Sequence, residues 1–381
     1  MLVLLHRHDQ GQTALALALL LVPYELAGVV TNLLGGYLGA RVGLKAPLVL
    51  GMMLQALACA LLSVDSAHLT ITYVMITQLV SGVAKDLAKT SAKSYVKELA
   101  PSDKEASLFR LIAVMTGSKN TMKGIGFFVG GALLAAFGFT RTNEALAAAL
   151  LAMSALGLWL VPRHPGRPSA TVRGLFRHDR RLLWLSFART FLFGSRDAWF
   201  AVALPLYLVS REWTHPAVGA FLAGWVICYG VVQASAPSIV RPATAVAGTS
   251  AVLRSTASLL LPLGATATCV WLEVQPILAL VIGLGVYGAL FAISSSLHSW
   301  LVVALHPDER TPERVGFYYS ANALGRLVGT LASGWLFYCA PTPADGLAAC
   351  MLGSMVAVGC ASIGTVYLRR SAHEQLATQS R

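Results

Sequence analysis

The sequence predicts an all-α membrane protein of two pseudo-repeated six-helix bundles, with the first helix largely missing and about eleven full spans. Three observations carry this. The 381 residues are 56% hydrophobic and only 12% charged, with a mean hydropathy of +0.66, whereas a soluble domain carries roughly a quarter charged residues. Apolar stretches of about twenty residues recur along the whole chain, each long enough to cross a bilayer. The two halves also repeat one another. Residues 28–32 (GVVTN) match 230–234 (GVVQA), 82–101 match 288–307, and 123–131 (KGIGFFVGG) match 326–334 (RLVGTLASG), at nearly constant offsets of 202, 206 and 203.

In chain order, the spans are expected at 13–36, 46–64, 69–89, 115–137, 143–162, 182–209, 216–240, 250–272, 275–301, 315–338 and 346–368. Residues 1–6 are apolar but reach only about 9 Å, so they read as the tail of a further helix. Mapped through the repeat, the charged pair Arg196 and Asp197 has no counterpart after Met1. The expectation is therefore that about twenty residues of a first helix are absent through the choice of an internal start codon. No basic region or cleavage site of a signal peptide precedes the first span.

The polar stretch 163–181 contains six Arg and one Asp and divides the chain. It separates an N-terminal bundle (1–162) from a C-terminal bundle (182–370), which is followed by a tail (371–381). Its side of the membrane also holds Arg41, Lys45, Lys97, Lys104, Arg241, Arg310, Arg314, Arg369 and Arg370. The opposite loops hold only Arg7, Arg141 and Arg211, among Asp65, Glu144, Glu212, Glu273 and Asp345. The positive-inside rule makes the linker and the C-terminus cytoplasmic, in a multi-pass protein of the inner membrane. The net charge of +12 is thereby a matter of topology, with no nucleic-acid partner implied.

Gly35–Lys45, GGYLGARVGLK, resembles the loop signature of the major facilitator superfamily, with Gly36, Arg41, Gly43 and Lys45 in place as a gating loop. Ala40 stands where that family has an Asp. Gly126–Gly131 resembles the antiporter signature of the fifth helix, with Phe127 where Pro is usual. Glycine packing between helices is the competing reading. Longer runs, at 24–41, 81–94, 116–131, 188–205 and 224–237, are similar to the ArsJ-type organoarsenical efflux permeases. That resemblance implies export of 1-arseno-3-phosphoglycerate for arsenate resistance, by a monomer in the bilayer. It also implies functional coupling to glyceraldehyde-3-phosphate dehydrogenase.

Such a substrate is a compact polyanion, and the chain offers intramembrane cations. Lys85, Lys89 and Lys93 recur at i, i+4, i+8 on one helix face, and Lys119 and Lys123 at i, i+4 on the next, beside Asn120. Their repeat mates at 291, 295 and 299 are Phe, Ser and Ser, so the charge reads as an addition confined to the N-terminal half. Lys93 and Lys97 lie toward the cytoplasmic interface and read as a solvated face. In the second half, Arg189, Arg196, Asn322 and Arg326 are candidate substrate ligands, because a guanidinium fork suits phosphate, arsenate or carboxylate. Arg196 and Asp197 are adjacent and point about 100° apart, so they are not expected to satisfy each other.

Glu25, Asp86 and Asp197 compete for two roles, proton coupling and charge balance. Six scattered cysteines offer no thiolate pair, no metal site is expected, and no cofactor is called for. No nucleophile–base set or phosphate-cradling glycine loop marks an enzyme. The alternatives are a major facilitator exporter or exchanger of another substrate: an organophosphate or sugar-phosphate anion, or a drug. A drug site would be mainly apolar.

Overall fold

The computed structural model describes residues 2–9, 11–65, 68–98, 105–162, 179–242, 244–305 and 311–379. Thirteen helices run through them: α1 (Leu2–Asp9), α2 (Ala14–Val42), α3 (Lys45–Leu62), α4 (Ile71–Glu98), α5 (Glu105–Leu160), α6 (Arg180–Phe200), α7 (Ala203–Ser210), α8 (His215–Ile239), α9 (Ala245–Ala257), α10 (Leu260–Trp271), α11 (Pro276–Ala304), α12 (Thr311–Cys339) and α13 (Pro343–Gln379).

Among the described residues, eight segments are long and apolar enough to cross a membrane. One of them, Arg110–Leu160, spans 51 residues and so about 76 Å, more than twice the hydrocarbon thickness of a bilayer. It is interrupted at Gly138, whose φ of 74° and ψ of 178° leave the helical region, so α5 crosses twice. The charged helices α4 and α12 complete the eleven crossings expected from the sequence. Two further spans are broken helices. Ala201 and Val202 separate α6 from α7, and Ser258 and Leu259 separate α9 from α10.

Local chemistry sets the ends. Thr13, Asp179 and Thr244 cap α2, α6 and α9 by accepting from the backbone N–H three residues on. Gly43, at φ 85°, ends α2 in the left-handed region that suits glycine. The linker 163–178 and Lys104 lie outside the described residues.

Two glycine seams bring helices of the two halves together. Along α5, Gly117, Gly124 and Gly131 recur every seven residues and face α8. A Cβ on Gly117 would lie 2.8 Å from the Ala234 nitrogen, and one on Gly124 2.7 Å from the Ala223 carbonyl. Gly131 meets Gly219 at 3.9 Å. Between α2 and α12, Gly28 meets Ala323 and Gly316 meets the carbonyl of Asn32, and the Ser320 hydroxyl donates to the Val29 carbonyl at 2.8 Å. A third seam, Gly194 with Gly325 and Gly329, joins α6 to α12 within the C-terminal half. Gly126, the first glycine of the expected signature, has nothing within 4 Å of its Cβ position. The signature's packing role therefore rests on Gly131 alone of these two.

The C-terminal half has a dense core of Trp199, Tyr207, Leu222, Trp225, Tyr287 and Phe291, with their neighbours. Trp199 stands edge-on to Trp225, Tyr287 and Phe200. In the other half α5 leaves Met122, Phe128, Phe137, Leu151 and Trp159 exposed, as lipid-facing apolar side chains are.

Candidate functional site

The charged residues singled out in the sequence converge where α2, α4 and α5 face α6, α11 and α12. Three carboxylates anchor the arrangement, and all are buried: Glu25 on α2 (4% exposed), Asp86 on α4 (1%) and Asp197 on α6 (3%). Burying a charge is costly unless a partner lies close, and each has one.

Arg326 of α12 sits between two of them. Its Nη2 donates to Glu25 Oε1, and its Nε donates to Asp197 Oδ2 at 3.1 Å. The other oxygen of Asp197 accepts from Arg196 Nε at 2.7 Å, and Arg196 Nη2 lies 2.6 Å from it. This corrects the expectation that the neighbours Arg196 and Asp197 leave each other unsatisfied. The arginine stem is long enough to return its guanidinium to the adjacent carboxylate, held 5.0 Å over the Phe193 ring. The result is a four-member chain, Glu25–Arg326–Asp197–Arg196.

Asp86 neutralises the lysines of its own helix. Lys89 Nζ lies 2.8 Å from Oδ1 and Lys85 Nζ 3.5 Å from Oδ2. Lys89 also donates to Asn32 Oδ1 at 3.1 Å, and Lys85 sits 3.8 Å over the Tyr24 ring. The side chains of Lys93 and Lys97 fall outside the described residues.

Two cations differ from these. Lys123 on α5 is exposed and has no carboxylate within ion-pair distance among the described residues. It lies 5.2 Å and 6.0 Å from the Phe127 and Phe200 rings, with Arg196, Arg326, Asp197 and Glu25 as its electrostatic neighbours. Arg189 on α6 is 2% exposed and is held by neutral oxygens only. Its Nε donates to Asn322 Oδ1 at 2.9 Å, its Nη1 to the Ser295 carbonyl and hydroxyl at 3.1 and 3.2 Å, and its Nη2 reaches the Ser299 hydroxyl at 3.5 Å. Asn120 of α5 donates to Gln233 Oε1 of α8 at 2.5 Å, and Gln233 Nε2 donates to Ser295 at 3.3 Å. Lys119 is exposed on the same α5 face.

The neutral repeat mates of the lysines surround one of the arginines expected in the second half. Ser295 and Ser299 are the repeat mates of Lys89 and Lys93, and Asn322 is the mate of Lys119 at the offset of 203. Those three neutral positions form the cradle of Arg189. The second half therefore places one arginine, delivered from α6, where the first half places lysines. The sequence carried this only as an arginine on one helix and small acceptors on two others, with no local spacing to link them. Gln233 and Tyr24 were likewise visible as polar residues but not as contacts.

Of the expected gating loop, Gly36 and Arg41 lie in the last turns of α2, where side chains are outside the described residues. Gly43 provides the stop, and Lys45 Nζ donates to the Leu158 carbonyl at the far end of α5, at 2.7 Å. No group of His, Cys, Asp and Glu that would hold a metal ion occurs among the described residues.

The family model of the Major Facilitator Superfamily matches residues 1–299. No curated protein matches the chain. Three of the solved structures that share its fold are transporters. The human organic anion transporter MFSD10 (TETRAN) is 19% identical, with 93% of this chain and 84% of that one covered at a TM-score of 0.68. The E. coli fucose:proton symporter FucP is 15% identical, with 93% and 95% covered at 0.60. FucP in the outward conformation is 14% identical, with 91% and 89% covered at 0.64.

Proposed function

The chain belongs to the major facilitator superfamily, and on that premise we propose that it exports a small organic polyanion by alternating access, with an arsenate ester of phosphoglycerate as the substrate. It is a multi-pass membrane transporter rather than an enzyme. The reading of its substrate as an anion rests on one observation. Among the described residues, six intramembrane cations (Lys85, Lys89, Lys123, Arg189, Arg196 and Arg326) face three carboxylates (Glu25, Asp86 and Asp197).

The carboxylates are consumed by Lys85, Lys89, Arg196 and Arg326. Lys123 is left to meet a ligand, beside a guanidinium chain already fixed in place. An oxyanion at Lys123 gains charge-assisted hydrogen bonds and relieves the surplus of positive charge. A cationic drug gains neither. The run-by-run resemblance to organoarsenical permeases narrows the anion to the arsenate ester. Glu25 and Asp197, each bonded to Arg326, act in this reading as charge balance that substrate binding rearranges as the two halves rock about the site.

The test is transport into inside-out vesicles that contain the chain, supplied with a glyceraldehyde-3-phosphate dehydrogenase and its substrates together with arsenate. Arsenic accumulates with the wild type and fails to accumulate with Lys123→Gln. Accumulation of phosphoglycerate at equal rate without arsenate points instead to an organophosphate exchanger. Accumulation of cationic dyes and of neither anion overturns the proposal.

A further inference from the structure

Arg189 is a buried cation bonded to neutral oxygens, with no counter-ion among the described residues, and polar groups near it are unsatisfied. Its guanidinium lies 4.0 Å from the Phe193 ring centre and 5.0 Å from that of Tyr318. The buried Tyr318 hydroxyl has only the Ser299 side chain beside it and makes no well-formed hydrogen bond, and the Ser186 hydroxyl, one turn before Arg189 on α6, makes none. His298, fully buried on α11 beside Ser299 and within the field of Arg189, leaves both ring nitrogens unpartnered. Arg189 and Tyr318 are thus in contact, with His298 in the field of the same guanidinium and Ser186 one turn before it on α6. These side chains include a full positive charge and at least two hydrogen-bond donors, and no carboxylate lies near them among the described residues. Leaving such groups unmet costs about 1–3 kcal/mol each, so a structural clamp alone is a poor account of them.

The position is also distinct from the Arg326 chain. Arg189 and Arg196 are seven residues apart on α6, about 10 Å along the axis. Phe193 lies between them and stacks against both guanidinium groups. The aromatic ring keeps the acid-paired cluster and the unpaired arginine as separate charges.

We propose that Arg189, His298, Tyr318 and Ser186 form a second oxyanion subsite in the C-terminal half, the repeat-related mate of the lysine cluster in the N-terminal half. It takes a tetrahedral oxyanion such as a phosphoryl or arsenyl group. The oxyanion displaces the long contact to Ser299 and draws donors from Arg189 and Tyr318. The hydrogen-bonded chain Asn120–Gln233–Ser295 links this subsite to α5, so occupancy on one side is felt by the other half. The inference rests on the reading of the core as an anion path and adds a second position to it.

The test is equilibrium binding of radiolabelled inorganic phosphate to the purified full-length protein in lipid nanodiscs. Wild type binds phosphate at two positions. Lys123→Gln removes one and leaves the other. Tyr318→Phe keeps the ring and Arg189 in place but weakens the second position by about tenfold, the loss of one hydrogen bond to a charged group. His298→Gln and Arg189→Lys weaken it as well, with melting temperature reporting the fold. If wild type binds a single phosphate that Lys123→Gln abolishes and Tyr318→Phe leaves untouched, the second subsite is wrong and the anion path stands. If wild type binds no phosphate, both are wrong.

Discussion

Arg326 of α12 donates to Glu25 of α2 across 301 residues of sequence, joining the two halves of the molecule at the level of its buried charges. The same guanidinium holds Asp197 of α6. Removing one partner of a buried pair leaves the other uncompensated, at a cost of about 3–5 kcal/mol.

Arg326→Gln is therefore expected to abolish transport and to lower the melting temperature in detergent. Glu25→Gln leaves Arg326 with Asp197 and is expected to do less damage to stability. In the double variant Glu25→Gln with Arg326→Gln, the penalties should not add, because the two residues share one interaction. Strictly additive losses would show that the pair is not coupled.

Asp86 carries two lysines. Asp86→Asn leaves Lys85 and Lys89 together in the membrane without their carboxylate and is expected to destabilise the protein more than Lys85→Ala, which leaves the Asp86–Lys89 pair at 2.8 Å intact. The order of melting temperatures checks this, and equal losses would contradict it.

These charge pairs mark the limit of what the sequence disclosed. Eleven crossings, the internal repeat and every charged position of the core were legible, because apolar length and charge are properties of single segments. The break at Gly138 was visible as a gap between two apolar runs, although the helix continues on both sides of it. The pairings were not legible. Arg326 with Glu25, and Arg189 with Ser295 and Asn322, depend on how distant helices approach, and no local spacing encodes that. The Arg196–Asp197 pair misled for the opposite reason, since helical geometry fixes Cα directions but not the reach of a long side chain.

Topology gives a third expectation. The basic side of the chain includes Arg369 and Arg370 near the end of α13, whereas Arg211 and Glu273, paired at 2.5 Å, lie on the other side. A reporter fused at Ser371, or in the linker at Arg173, should read cytoplasmic, and one inserted at Glu212 should read periplasmic. The reverse pattern would overturn both the orientation and the export direction drawn from it.

The α5–α8 seam separates structural glycine from merely recurrent glycine. A Cβ at Gly230 would lie 2.6 Å from the Gly117 carbonyl oxygen and 2.7 Å from the Thr121 nitrogen. These are backbone atoms on the opposite helix, so the side chains have no slack to absorb the clash. Gly230→Ala must push α5 and α8 apart, and with them Asn120 from Gln233, which now meet at 2.5 Å. Gly126 belongs to the expected signature, yet its Cβ position is open. Gly126→Ala should therefore leave transport unchanged and, by removing a flexible residue from a helix, raise the melting temperature slightly, a gain of up to about 1 kcal/mol. Gly230→Ala should remain in the membrane but lose transport by about tenfold or more, because the seam is where the two halves must stay in contact while they move. If Gly126→Ala is the harmful variant and Gly230→Ala the silent one, α5 turns a different face to α8 than the one described.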